Sequence, residues 1–403
     1  MDKSVASAVT QIPEVVLNSS SGRRAIPMIG FGTAADSNDG PTLISAVLEA
    51  IKLGYRHFDT ASAYASEDHL GEAIAQALSL GLVSSREELF ITSKLWCSDA
   101  HADLVLPALK KSLSFQRGNC KLGYRHRLKP LEDEGPMVSQ VNEYLSRNNS
   151  KQGYMENQLS IKFIKQIMFE VAQKRGGEKF MGVTNVRRTL QLEYLDLYLI
   201  HWPISVTPGK SAWPFDEQDL MPMDFKSVWA AMEECQRLGL VKSIGVSNFS
   251  CKKLETLLSS ATILPSVNQV EMSPLWQQKK LRDFCKANGI IVTAFSPLGA
   301  RGTRWGTNNV MENETLKEIA KAQGKTVAQV CLRWIYEQEV APIAKSYNKE
   351  RLRENLQIFD WALSEDELAK ISQIKQQRMM LREELISARG PYKSIEELWD
   401  GEL

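Results

Sequence analysis

The sequence predicts an α/β protein built as a (β/α)8 TIM-type barrel, and two observations lead to this class. Short apolar runs rich in β-branched residues alternate with helical patterns along most of the chain, which is typical of βαβ units and a parallel sheet. There are eight such runs, the number of strands in a TIM-type barrel. The predicted strands are 28–33, 57–60, 89–93, 196–201, 243–247, 266–271, 290–296 and 340–346.

Helical patterns fill most of the intervals between these strands. A glycine follows three of the predicted helices, at Gly54, Gly239 and Gly289, where the left-handed end of a helix favours this residue. We expect an N-terminal β-hairpin before the barrel. The predicted helices are 41–53, 67–78, 102–112, 225–238, 252–258, 278–287 and 327–337.

Composition excludes several classes of protein. The chain has 403 residues, 43% hydrophobic and 24% charged, with a net charge of +1. This balance argues against wholesale disorder and gives no reason to expect nucleic acid or an anionic membrane as partner. Its six cysteines are scattered without a C-x-x-C pair, so we predict no metal site and a reducing compartment. No secretory signal or long apolar run is evident, and we expect a cytoplasmic protein without a membrane span.

Residues 115–188 interrupt the alternation between the third helix and the fourth strand. This 74-residue segment carries 14 basic and 7 acidic residues, and contains one helical patch at 159–174. Structureless loops of this length are uncommon inside compact domains. We therefore predict a barrel formed by 12–114 and 189–403, with 115–188 as a poorly ordered insertion.

Polar or ionisable residues close nearly every predicted strand. In a TIM-type barrel the carboxyl ends of the strands meet on one face and build the active site. The residues concerned are Thr33, Asp59, Lys94, His201, Asn248, Gln269, Glu271, Ser296 and Lys345.

Four residues at three successive strand ends suggest proton transfer: Asp59, Tyr64, Lys94 and His201. A tyrosine has a pKa of about 10, and a neighbouring ammonium lowers that pKa. An aspartate would hold the lysine charged, and a histidine could hydrogen-bond a substrate oxygen. Together they could donate a proton to a carbonyl that gains a hydride.

Each of these residues also has a structural interpretation. Asp59 could cap a turn, Lys94 could be a solvated strand end, Tyr64 a surface aromatic and His201 a core histidine. The combination at successive strand ends favours catalysis.

Two segments suggest phosphate binding. Lys345 and Ser346 close the eighth strand, and Arg351 follows on a short helix, a set suited to a phosphate. Separately, Gly30-x-Gly32-x-x-Ala35 matches a loose dinucleotide fingerprint. A polar loop follows these glycines where a Rossmann helix should begin, so this second interpretation is the weaker one.

With these motifs the chain resembles the aldo-keto reductase superfamily. Residues 221–224 (MPMD) and 390–392 (GPY) bring it nearest to a plant group that includes codeinone reductase, chalcone reductase and deoxymugineic acid synthase. The stretches that carry the resemblance are 30–33 (GFGT), 54–61 (GYRHFDTA), 91–96 (ITSKLW), 194–203 (YLDLYLIHWP), 244–249 (IGVSNF), 268–271 (NQVE) and 345–355.

The resemblance implies NADPH-dependent reduction of an aldehyde or ketone, by a monomer that has a small-molecule carbonyl compound as its substrate. Tyr64 would donate the proton, Lys94 would lower its pKa, Asp59 would support Lys94, and His201 would orient the carbonyl. Ala34, Trp96, His201 and Trp202 would line the substrate pocket.

The resemblance also implies a set of NADPH contacts without a Rossmann fold. Ser247, Asn248 and Gln269 would hold the nicotinamide amide, and Phe295 would stack on the ring. Lys345, Ser346 and Arg351 would hold the 2′-phosphate, with Glu354 and Asn355 facing the adenine. The remaining implied contacts are Gly32, Thr33, Asp59, Ser296 and Leu298.

Two alternatives stay open at this point. The chain could be an NADPH-binding regulatory subunit that meets a partner protein through 115–188. It could also be an inactive product of aberrant splicing, because 115–188 would then be a retained intron translated in frame.

Overall fold

The computed structural model describes residues 12–18, 21–22, 24–34, 39–114, 189–210, 213–303 and 306–403. The helical patch at 159–174 and the expected poor order of 115–188 lie outside these residues. No helix of the described ranges is both long and apolar enough to cross a membrane.

Eight parallel strands close into a barrel, as predicted. They follow one another around the barrel in chain order, and the last pairs with the first through Ile343 and Gly30. Each strand falls within two residues of its predicted bounds. The barrel strands are β3 (Gly30–Gly32), β4 (His57–Asp59), β5 (Phe90–Leu95), β6 (Leu195–Ile200), β9 (Val241–Ser247), β10 (Val267–Glu271), β11 (Ile291–Phe295) and β12 (Ala341–Ala344).

The remaining strands form two short antiparallel pairs. The predicted N-terminal hairpin is β1 (Glu14–Val16) with β2 (Ala25–Pro27), and the second pair is β7 (Ser205–Val206) with β8 (Leu220–Met221). Leu17 and Ile26 of the hairpin are buried in one apolar cluster with barrel residues that include Phe90 and Val267. Because both barrel residues begin their strands, the hairpin covers the amino-terminal end of the barrel.

Helices pack outside the strands. The helices of the described residues are α1 (Gly40–Leu53), α2 (Glu67–Ser79), α3 (Val105–Leu113), α4 (Phe225–Arg237), α5 (Cys251–Leu258), α6 (Lys279–Ala287), α7 (Asn309–Glu312), α8 (Glu314–Gln323), α9 (Val327–Glu337), α10 (Lys349–Leu356), α11 (Glu365–Ser372) and α12 (Ile395–Trp399).

Local sequence signals explain the helix ends. Gly54 ends α1 with φ of 109°, and its N–H meets the carbonyls of Ala50 and Ile51. Thr326 begins α9 with a capping box completed by Gln329. Helices α7, α8, α11 and α12 were not predicted. Helices α7, α8 and α11 are additional to the one helix that follows each barrel strand, and α12 belongs to the C-terminal tail.

The barrel excludes the Rossmann interpretation of the glycines. Gly30 and Gly32 lie within a barrel strand, paired on one side with β4 and on the other with β12. A Cβ on Gly30 would lie 2.6 Å from Ile343 Cδ1. Gly30 therefore serves close packing of the barrel wall.

The residues that flank 115–188 lie side by side. Thr189 Oγ1 donates to the Ser114 carbonyl at 2.8 Å, and the two hydroxyl oxygens are 3.0 Å apart. The Leu190 N–H donates to the Ser112 carbonyl at 3.1 Å. The end of α3 therefore meets the approach to β6 directly.

Candidate active site

A cavity of about 1090 Å³ opens at the carboxyl ends of the barrel strands. Pockets for drug-sized ligands usually measure about 300–1000 Å³. The cavity therefore has room for a ligand of dinucleotide size. It reaches from Tyr64 and His201 at one end to Arg351 and Asn355 at the other.

Almost all the residues predicted for the site line this cavity. Lys94, Thr33 and Glu271 do not line it: all three are buried, and the Thr33 hydroxyl is 2.8 Å from that of Ser66. The predicted residues that line the cavity are Gly32, Ala34, Asp59, Tyr64, Trp96, His201, Trp202, Ser247, Asn248, Gln269, Phe295, Ser296, Leu298, Lys345, Ser346, Arg351, Glu354 and Asn355.

Lys94 is the centre of a buried polar group behind the cavity wall. Its Nζ donates to Asp59 Oδ1 at 2.6 Å and to the Thr60 carbonyl at 3.0 Å, and lies 5.0 Å from the centre of the Tyr64 ring. Gln269 Nε2 donates to the other Asp59 oxygen at 2.8 Å. Both carboxylate oxygens are thus engaged, which fixes the position of the ammonium group.

Burial decides the charge state of Tyr64. Removal from water raises the pKa of the Tyr64 phenol, and the nearby Lys94 ammonium lowers it without reversing the shift. The sequence-based expectation gave only the effect of Lys94, because spacing along the chain does not show how deeply a side chain is buried. The phenol therefore stays protonated at neutral pH.

Lys94 stays charged although it is buried. Burial alone would lower the pKa of this ammonium, but Asp59 and Tyr64 outweigh that effect, so its pKa lies above the usual value. The Lys94 ammonium thus places a positive charge beside Tyr64.

His201 completes the group as a neutral imidazole. Burial, followed by the charges of Lys94 and Arg382, holds the pKa of His201 well below its ordinary value. Its Nε2 lies 3.3 Å from the Tyr64 hydroxyl. The two polar groups could therefore contact one substrate oxygen together.

Amide and hydroxyl groups line the neighbouring wall. Asn248 Nδ2 donates to the His201 carbonyl at 3.0 Å and to Ser247 Oγ at 3.1 Å. Asn248 Oδ1 is buried and accepts no hydrogen bond from the described residues. An amide N–H of a ligand is the donor that such an acceptor needs, so this wall fits a nicotinamide carboxamide.

The far end of the cavity is basic. Ser346 is buried beside the start of α10, where the Arg351 N–H donates to the capping side chain of Asn348 at 2.9 Å. Lys345 and Arg351 are exposed beside it. Two cations, a hydroxyl and a helix amino terminus suit a phosphate ester.

The C-terminal tail supplies cavity residues that sequence reasoning did not assign to the site. Met380, Arg382 and Glu384 line the cavity, as does Trp213 from the loop before β8. No local motif marks these residues, because contacts between residues far apart in the sequence bring the tail over the barrel.

Comparison with known proteins agrees with this geometry. The model of the Aldo/keto reductase family matches residues 28–185 and 139–376. A deoxymugineic acid synthase 1 from Zea mays is 47% identical over 378 residues, covering 94% of this chain and 97% of that protein. A (1S)-1,7-diacetoxy-luvungin A aldo-keto reductase from Citrus sinensis is 48% identical, and the match covers 98% of this chain and 99% of that protein.

A solved structure is similar as well. The crystal structure of a Bombyx mori aldo-keto reductase in complex with NADP aligns with a TM-score of 0.65 and 30% identity, covering 94% of this chain and 96% of that one. The chain therefore belongs to the aldo/keto reductase family, a family of oxidoreductases that bind NADP(H).

Proposed function

We propose that this protein reduces an aldehyde or ketone to an alcohol with NADPH. The observation that carries the proposal is the cluster of Asp59, Lys94, Tyr64 and His201 at one end of a cavity large enough for a dinucleotide. A protonated phenol backed by a fixed cation is suited to protonate an oxygen that gains negative charge.

Each residue of this cluster has its own role in carbonyl reduction. Tyr64 and His201 hold the substrate carbonyl oxygen, and Tyr64 donates its proton to that oxygen. Lys94 stabilises the phenolate that results, while Asp59 holds Lys94 in place. Trp96 and Trp202 enclose the substrate and exclude water.

NADPH, when bound, supplies the hydride. Ser247, Asn248 and Gln269 would hold its carboxamide, Phe295 would lie against the ring, and Lys345, Ser346 and Arg351 would hold the 2′-phosphate. These roles rest on the unpartnered acceptor of Asn248 and on the basic far end of the cavity.

The plant relatives support a role in plant secondary metabolism. Besides the two proteins above, an NAD(P)H-dependent 6′-deoxychalcone synthase from Glycine max is 47% identical, covering 98% of this chain and 99% of that protein. Each of the three names a different compound, so the names support the class of reaction and leave the substrate open.

The proposal is tested with the purified 403-residue chain. NADPH oxidation is followed with a panel of aldehydes and ketones, beside a fluorescence titration of NADPH binding. We expect saturable binding and formation of one alcohol per NADPH consumed. Binding without turnover across the panel would contradict the proposal and favour a regulatory subunit.

The preference for NADPH should depend on Arg351. Arg351→Ala removes one of the cations proposed to hold the 2′-phosphate, and a charge-assisted contact contributes roughly 1.5–3 kcal/mol. We expect the Kd for NADPH to rise by at least about tenfold, with little change in the Kd for NADH. Arg353→Ala, an exposed position on the same helix outside the cavity, is the matched control. An equal loss of affinity for both nucleotides would contradict the assignment.

We propose that 115–188 is an insertion that the barrel does not need. The hydrogen bonds between Ser114 and Thr189 support a direct connection between these two residues. A connection from a helix to the next strand also lies on the face opposite the active site.

Deletion of 115–188 should therefore leave a folded, active reductase. We expect its Tm and its kcat/KM to equal or exceed those of the full chain. Deletion of 111–188, which also removes the last turn of α3, should lower Tm and serves as the control. A 115–188 deletion variant that does not fold would show that the segment is part of the barrel's structure.

A further inference from the structure

The C-terminal tail holds an arginine inside the substrate end of the cavity. Glu271, buried at the end of β10, accepts hydrogen bonds from the N–H groups of Met379 and Met380 at 3.0 and 2.9 Å. Trp399 Nε1 donates to the Leu381 carbonyl at 2.9 Å. Three consecutive residues of the tail are thus fixed, and Arg382 follows them directly.

Two tryptophans hold the guanidinium group of Arg382. Its Cζ lies 4.8 Å from the centre of the Trp202 ring and 5.0 Å from that of Trp213. The side chain is only 16% exposed. Contacts with aromatic faces orient a cation, and the attraction between cation and ring grows when water is excluded. The guanidinium therefore has a fixed orientation and would lose little flexibility on binding a ligand.

The charge of Arg382 reaches the reacting groups. It contributes to lowering the pKa of His201 and partly offsets the rise of the pKa of Tyr64. Arg382 also lines the same cavity wall as Trp202 and Trp213. A substrate whose carbonyl meets Tyr64 and His201 would therefore place its neighbouring groups within reach of this cation.

The carboxylate of Glu384 lies beside Arg382. Glu384 Oε1 is 3.7 Å from Arg382 Nη1, and the Glu384 side chain is 41% exposed. Exposed ion pairs at this separation contribute little free energy. A carboxylate of a substrate, enclosed between the tryptophans, could displace Glu384 and make shorter, charge-assisted contacts.

We infer that Arg382 makes this enzyme select carbonyl substrates that also carry a carboxylate. The inference rests on the proposed function and narrows its substrate class. A planar guanidinium matches a carboxylate better than an ammonium does, because it can donate two parallel hydrogen bonds.

The test compares two aldehydes of nearly the same size, 4-carboxybenzaldehyde and methyl 4-formylbenzoate. For the wild-type chain we expect kcat/KM with NADPH to be higher for the acid. Arg382→Gln should lower the acid-to-ester ratio of kcat/KM by at least about tenfold, the loss expected for one charge-assisted contact. Arg382→Lys should give an intermediate ratio.

Controls separate this inference from the proposed function. Arg389→Gln, exposed on the same tail, and Arg301→Gln, on another part of the cavity wall, should leave the ratio unchanged. A wild-type chain that reduces both aldehydes without preference, or a ratio that follows Arg301, would overturn the inference alone. Reduction of neither aldehyde, together with no turnover across the wider panel, would overturn the proposed function and the inference with it.

Discussion

Replacing Tyr64 by Phe should lower kcat for carbonyl reduction by about 10²–10⁴-fold, the usual contribution of a positioned general acid. The substitution removes the only hydroxyl that lies beside both Lys94 and His201 in the described cavity. The ring remains, so the packing of the wall is kept. The dissociation constant for NADPH, measured by fluorescence, should change little because the proposed cofactor contacts are made by other residues.

A matched substitution checks that the loss belongs to this position. Tyr336→Phe removes a hydroxyl outside the cavity, where the ring packs against Phe359 at 5.1 Å between centres. We expect that variant to retain wild-type kcat. Tyr64→Phe with full activity would show that the proton comes from another group.

Replacing Lys94 by Met should have the second largest effect, because it acts on both stability and catalysis. Removing one member of a buried ion pair leaves an uncompensated charge and costs about 3–5 kcal/mol of the free energy of unfolding. Asp59 would be that charge, with its side chain only 5% exposed. We also expect a large fall in kcat, because no cation would stabilise the phenolate of Tyr64.

A double variant separates these two effects. Asp59→Asn combined with Lys94→Met removes both charges at once, and such replacements are often close to neutral for stability. We therefore expect denaturant unfolding to show recovery of most of the lost stability, without recovery of kcat. Recovery of both would indicate that Lys94 serves only the fold.

The pH dependence of kcat/KM gives an independent check on Lys94. The Lys94 ammonium lowers the pKa of Tyr64, so its removal raises that pKa further. Reduction requires the protonated phenol and is lost as pH rises through this pKa. The alkaline fall in the residual activity of Lys94→Met should therefore move to higher pH. His201 should stay neutral at pH values well below about 6.5, the ordinary pKa of a histidine, because burial lowers its pKa. Its titration should therefore cause no loss of activity near neutral pH.

The sequence predicts the barrel well because its signals are local. Apolar runs define the strands, and a glycine such as Gly54 ends a helix through its own backbone. The candidate site follows from one general rule, that strand carboxyl ends meet on one face. That rule places Asp59 and His201 together although 142 positions separate them.

Other features depend on contacts that no local pattern shows. Arg382 reaches the cavity because Glu271 binds the tail more than a hundred positions away in the sequence. The same tail is held at its far end, where Lys253 Nζ donates to the Leu398 carbonyl at 2.7 Å. The raised pKa of Tyr64 likewise arises from burial, which only the assembled barrel produces.

Transfer of isotope from labelled cofactor tests the central claim most directly. The full-length chain is given NADPH carrying deuterium at C4 of the nicotinamide, on each face in turn, with an aldehyde that it reduces. We predict deuterium on the carbinol carbon of the alcohol from one of the two labelled forms, and alcohol formation at least about a hundredfold slower with Tyr64→Phe. Product alcohol without deuterium from either form would contradict direct hydride transfer in this site.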